Sequence, residues 1–187
     1  MPTEAGQKMQ QCLNAVCRMH ASVSKLLTDF DKYVPWPSAS VFGNTATKDL
    51  TYATKAEFWM PEGVFRYLSC KENPRLVQAI TICFVEPSIE EPVLLIGQLE
   101  YVDDPLQVRT ACDGWDLWYL YFPLRTPWPD GTPVSCSIPS DRAARIRNAT
   151  LISAPLYSVC RIGDLGALLE RLRGAQCPAE DPEGADQ

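Results

Sequence analysis

A single histidine, His20, serves the whole chain. That scarcity excludes most of the chemistry a protein of this length could carry. Metal centres built on imidazole need a cluster of ligands, and Cys17 and His20, three apart on one helix face, make two ligands at most. Serine or cysteine nucleophiles activated by histidine would all have to work through His20, and no G-x-S-x-G elbow is present. Phosphate-cradling loops of the G-x-x-x-x-G-K-[ST] or G-x-G-x-x-G kind are missing too, the ten glycines being scattered. No cofactor or metal is therefore implied.

Basic residues are outnumbered, 17 Lys and Arg against 23 Asp and Glu, for a formal net charge of −6 and a pI near 4.8. The field of such a chain repels phosphate, so nucleic acid is excluded as a partner. Long apolar runs are missing as well: Val93 to Ile96 falls far short of the roughly 20 residues that cross a bilayer. The first residues mix apolar side chains with Gln, Lys and Asn and lack a signal layout, which points to a cytoplasmic protein with no membrane contact. Eight cysteines are present, but no C-x-x-C pair. Most sit in apolar runs, where Cys packs as a small hydrophobe, and the expectation is free thiols. Cys12 and Cys17 could act as a thiol sensor, although five residues apart they lie on different faces of a helix.

What is abundant is 46% hydrophobic residues, enough for one domain with a sizeable core. The chain centres on residues 76–102, two runs rich in Val, Ile and Leu on either side of a polar break, which read as a β-hairpin at the middle of a sheet. Residues 64–70 and 115–122 (WDLWYLYF) read as further strands, the latter interior to the sheet because aromatics fall on both faces. Residues 134–138 read as a weak edge strand, and 150–162 as a strand that Pro155 confines to an edge or breaks. A short helix is expected over 141–148 behind Ser140, and a final one from Asp164 to Gly174.

The clearest element is a helix over residues 3–33. Its apolar side chains fall in three columns of a seven-residue repeat: Met9, Val16, Val23, Phe30; Cys12, Met19, Leu26, Tyr33; and Leu13, His20, Leu27. Thr3 is placed to cap it and Pro35 to stop it. The stripe needs cover, from the sheet in the first instance and from a second copy of the helix in the second. Helix, strands, helix, with no helices alternating between strands, is an α+β pattern: an antiparallel sheet of about five strands with a long N-terminal amphipathic helix and a short C-terminal helix packed on it. Residues 1–174 form the expected domain and 175–187 an acidic disordered tail.

Three groups of residues are candidates for function. Acidic side chains gather at the ends of the hairpin, Glu86, Glu90 and Glu91 at one and Glu100, Asp103 and Asp104 at the other, where solvation explains them better than paired acid–base work. Trp36 and Trp128 each stand between two prolines, and Trp115 lies beside a strand. A tryptophan held between prolines makes a rigid anchor for a partner. Arg142, Arg145 and Arg147 form a small basic cluster that an anionic ligand or acidic partner could use. These residues favour a non-enzymatic binding, adaptor or regulatory protein with a protein partner, and a homodimer through the N-terminal helix. The alternative is a small-molecule binder or enzyme with a pocket between that helix and the sheet, using His20, Glu100, Tyr67, Tyr119 or Tyr121.

Overall fold

The two apolar runs form the centre of the sheet, as their composition requires. In the computed structural model, which describes residues 3–47, 61–85, 89–124, 131–159 and 161–175, β3 (Leu76–Cys83) and β4 (Val93–Tyr101) pair antiparallel, Ile80 opposite Ile96. β2 (Gly63–Cys70) lies outside β3, and β6 (Ile146–Pro155) outside β4. The edges are β1 (Ser38–Ser40) beside β2 and β5 (Val134–Ser135) beside β6. The sheet is thus six-stranded and antiparallel, in the order β1-β2-β3-β4-β6-β5.

Both faces of this sheet are covered, so its inner strands read as unbroken apolar runs rather than alternating ones. One face carries Val64, Leu68, Ile80, Ile82, Leu94, Ile96 and Ile152, packed under two helices, α1 (Glu4–Tyr33) and α3 (Ile162–Gly174). The other carries Phe65, Tyr67, Val77, Leu95, Leu99 and Leu151, packed under a helix, α2 (Asp116–Tyr121), and its flanking loops. The class, an α+β fold with an antiparallel sheet between an N-terminal and a C-terminal helix, matches the expectation from sequence.

Three local readings are corrected. Residues 115–122 do not enter the sheet: Asp116–Tyr121 is the helix α2, continued by a 3-10 turn at Phe122–Leu124. Its aromatics appear on every side because Leu117, Trp118, Leu120 and Tyr121 are all buried against a sheet face and its loops. Residues 141–148 are not a helix. A turn in which the Arg142 and Ala143 N–H groups donate to the Pro139 carbonyl leads directly into β6 at Ile146. β6 is not an edge strand; it lies between β4 and β5, and Pro155 is its last residue, where a missing N–H costs the ladder nothing. Trp59, Glu86, Trp128, Cys160 and the tail from residue 176 onward lie outside the described residues.

α1 begins and ends where its caps place it. The Gly6 N–H donates to Thr3 Oγ1 at 3.2 Å, and Val34, next to Pro35, is extended. Its second half is fastened to the domain. Val23, Leu27 and Phe30 are buried in the sheet. Arg66 of β2 forks onto Asp31, Nε to Oδ1 at 3.0 Å and Nη2 to Oδ2 at 2.7 Å. Arg173 of α3 donates to the Tyr33 carbonyl. Among the described residues the first half of α1 has no such attachment: residues 4–15 are exposed, Met9 at 66% and Leu13 at 55%. Among the described residues no helix is long and apolar enough to cross a membrane.

Candidate functional site

Two places gather the side chains that could do something, one on each side of the sheet. On the α2 side, Asp116 is fully buried at the start of its helix. Its Oδ2 accepts from the Asp113 N–H at 2.7 Å and from the Tyr101 hydroxyl at 3.0 Å, and its Oδ1 from Arg145 Nη2 at 3.0 Å. Arg142 Nη1 stands 3.6 Å from the same Oδ1, and its guanidinium lies 4.0 Å from the centre of the Tyr119 ring. Cys112 donates its thiol proton to the Tyr101 oxygen at 3.1 Å.

Arg142 and Arg145 are therefore brought together by a turn, not by the helix face their spacing was expected to give, and around an internal carboxylate. Asp116 neutralises one of them, and Asp141, 3.4 Å from Arg142, offsets the other. Burial raises the Asp116 carboxyl, against the lowering pull of the Asp113 N–H, Arg145 and Tyr101. Burial likewise pushes the Cys112 thiol and the Tyr101 and Tyr67 phenols upward. Cys136 rises to about 12 for the same reason. Burial thus keeps the Cys112 and Cys136 thiols and the Tyr67 and Tyr101 phenols neutral and unreactive, and the cluster around the Asp116 carboxylate ties the connection between β4 and β6 onto the sheet.

The enzyme candidates are not assembled. The Tyr67 hydroxyl lies 3.5 Å from the Thr81 hydroxyl and accepts from the Leu117 N–H on the α2 side, whereas His20 rests against the Phe84 ring on the α1 side, centroids 5.8 Å apart. Glu100 lies at the far end of the sheet, 3.8 Å from Arg147, and Tyr119 is exposed over Arg142. Among the described residues no group of three His, Cys, Asp or Glu could hold a metal ion.

Of the tryptophans, Trp115 is buried: a Cβ on Gly63 would meet its ring at 2.5 Å, so the two close against each other in the core. Trp36 is half-buried, and its indole N–H finds no acceptor among the described residues. Trp128 lies outside them.

The second place was legible as a stripe but not as a site. Beyond the sheet, the columns of α1 continue uncovered through Met9, Cys12 and Leu13 to the half-buried Val16. Where α1 reaches the sheet, its Cys12–Met19–Leu26 column opens into a groove of about 530 Å³, floored by Met19, Val23, Leu26, Leu156 and Val159 and rimmed by Lys25, Asp29 and Arg161. Asp29 is clasped by Lys25 and Lys32, each at 2.6 Å, and these bonds hold its carboxyl below the usual range. An apolar helix face of about four turns leading into an apolar groove with a charged rim can hold a second amphipathic surface. Comparison of the chain with protein-family models, characterised proteins and solved structures finds no match.

Proposed function

We propose that this is a non-enzymatic binding, adaptor or regulatory protein whose working surface is the uncovered first half of α1 and the groove it leads into. The observation that carries this reading is the contrast along a single helix: the same apolar columns that bury Val23, Leu27 and Phe30 leave Met9 and Leu13 more than half exposed. A helix that needed no partner would lose its apolar stripe where the sheet ends. An unsupported helix of about 12–15 residues is also marginal in water, so this half gains order from whatever covers it. Trp36 and Trp128 remain proposed secondary anchors, and Arg142 and Arg145 a proposed acidic-partner contact at the rim of α2. We place the protein in the cytoplasm, in support of which Cys12, Cys17, Cys70, Cys112 and Cys136 are free thiols.

A photoreactive residue in place of Leu13, in cells that make the protein, tests this. A discrete protein adduct is expected at Leu13 and not at Arg18, on the opposite side of the helix. Equal, diffuse labelling at both positions would overturn the reading. The groove favours a second reading, a small apolar ligand, because its volume falls in the range of ligand sites. That reading expects no protein adduct at Leu13 and a saturable fluorescence change in a Leu26→Trp variant.

A further inference from the structure

We propose that the occupant of this surface is a second copy of the chain, paired antiparallel through α1, so that the uncovered half of each helix lies in the groove of the other. The inference rests on the binding role proposed for α1 and names its partner.

The three columns decide the geometry. From Val23 onward the sheet takes two of them, burying Val23, Leu27 and Phe30 and placing His20 on Phe84. The third, Cys12–Met19–Leu26, is left to one side, and its Met19 and Leu26 line the groove. This column is thus the one path that runs from the free half into the groove without meeting the sheet. A helix laid antiparallel along it puts Met19 near the two-fold axis and Cys12 opposite Leu26 of the partner subunit. A two-fold axis normal to the plane of two antiparallel helices keeps the sheet-facing side of both on the same side. Met9, Leu13 and Val16 then turn toward the layer that holds Leu156 and Val159 of the partner subunit. One arrangement covers all three columns, and it does so twice. A parallel pair would join only the free halves and leave both grooves open.

Charge and area agree with it. The register sets the Glu4–Lys8 ion pair, 2.8 Å, alongside Lys32 and Asp29 of the partner subunit, themselves paired at 2.6 Å, so that the four charges alternate. The free half, residues 4–15, is about 18 Å long and about 10 Å wide, and burying it in a groove removes on the order of 250–300 Å² from each surface. Four such surfaces give on the order of 1,000–1,200 Å², the lower end of the range for a specific interface.

The test is light scattering of the full chain in reductant over about 1–100 μM, followed by disulfide trapping. The expected mass is twice that of the 20.9-kDa chain. Leu13→Asp, a change at a position exposed in the single chain, should give a monomer with an unchanged circular dichroism spectrum. In a mixture of isotopically labelled and unlabelled Leu26→Cys protein, mild oxidation should join position 26 of one copy to Cys12 of another, and Cys12→Ser should abolish that link. A monomer throughout the range, a dimer indifferent to Leu13→Asp, or a Cys12–Cys12 link in the wild type would each overturn the pairing. A monomer whose photoreactive Leu13 variant captures a different protein would end the self-pairing and leave the binding role standing. A monomer that captures nothing would end both.

Discussion

Gly97, in the middle of β4, offers a direct test of the α2 layer. A Cβ there would lie 2.4 Å from Leu117 Cδ2 and 3.2 Å from the Thr150 carbonyl oxygen. Carbon atoms in ordinary contact stand about 3.5–4.0 Å apart, so Gly97→Ala forces Leu117 to move by more than an ångström. Leu117 is fully buried and has nowhere to go. Overpacking of this kind costs about 1–3 kcal/mol, less about 0.5–1 kcal/mol that alanine returns in a strand over glycine. Leu117→Ala alone removes about three methyl(ene) groups and leaves a cavity, at about 2–5 kcal/mol. In the double variant the clash is gone and the new methyl occupies part of the cavity. The two changes together should therefore cost about 2 kcal/mol less than their sum. Urea unfolding of the four proteins gives the cycle, and thermal midpoints follow at about 2–4 °C per kcal/mol for a chain of this size. Strict additivity would mean that Leu117 does not stand over Gly97, and would refute the placement of α2 on this face.

Phe30→Ala should destabilise by about 3–5 kcal/mol, because it empties the junction where α1 meets the sheet; a loss under 1 kcal/mol in denaturant melts would contradict its full burial. Asp29→Asn should weaken the fold at pH 7 but not at low pH. The folded carboxyl is held below its usual 3.8 by Lys25 and Lys32, so its contribution is present above 3.8 and fades as pH falls through the folded value; the urea midpoints of the two proteins should differ at pH 7 and draw together as pH is lowered below 3.8. Alkylation of the native protein mapped by mass spectrometry should label Cys12 and Cys17 quickly and spare Cys70, Cys83 and Cys112 until the chain unfolds; fast labelling of Cys112 would contradict its burial.

The parts of this fold that were legible in the sequence are those where periodicity and local caps agree. α1 has Thr3, Pro35 and a repeat that spans the whole element, and β3 and β4 have β-branched runs too short to be helices. α2 was misread because six residues cannot display a period, and because β-propensity of Trp and Tyr spoke for a strand. A signal was nonetheless present. Asp113 and Asp116 stand three apart, and they exchange cap-like bonds: the Asp113 N–H to Asp116 and the Trp115 N–H to Asp113 Oδ1. The turn at 141–145 was misread for a different reason. Arg142 and Arg145 are positioned by Asp116, far away in sequence, and Ile146 by its pairing with Tyr101. Neither partner can be seen from the segment itself. The stripe of α1 was legible, but which half of it the sheet would cover depends on the width of the sheet, which no local pattern records.

The short edge strands bear on how this protein can meet other molecules. β1 pairs with only the end of β2, and the rest of that border is met by loop atoms, the Val41 N–H on the Tyr67 carbonyl and the Phe65 N–H on the Ala46 carbonyl. The opposite border is finished the same way, by Gly131 on Ser153 and Cys136 on Ala149. The long inner strands β2 and β6 thus have main-chain groups engaged along their outer edges, and the strands that face outward are only three residues in β1 and two in β5, a poor template for further strands. Growth by backbone pairing is disfavoured, and contacts with other chains fall to side chains, which discriminate between partners where a long open ladder would accept almost any extended peptide.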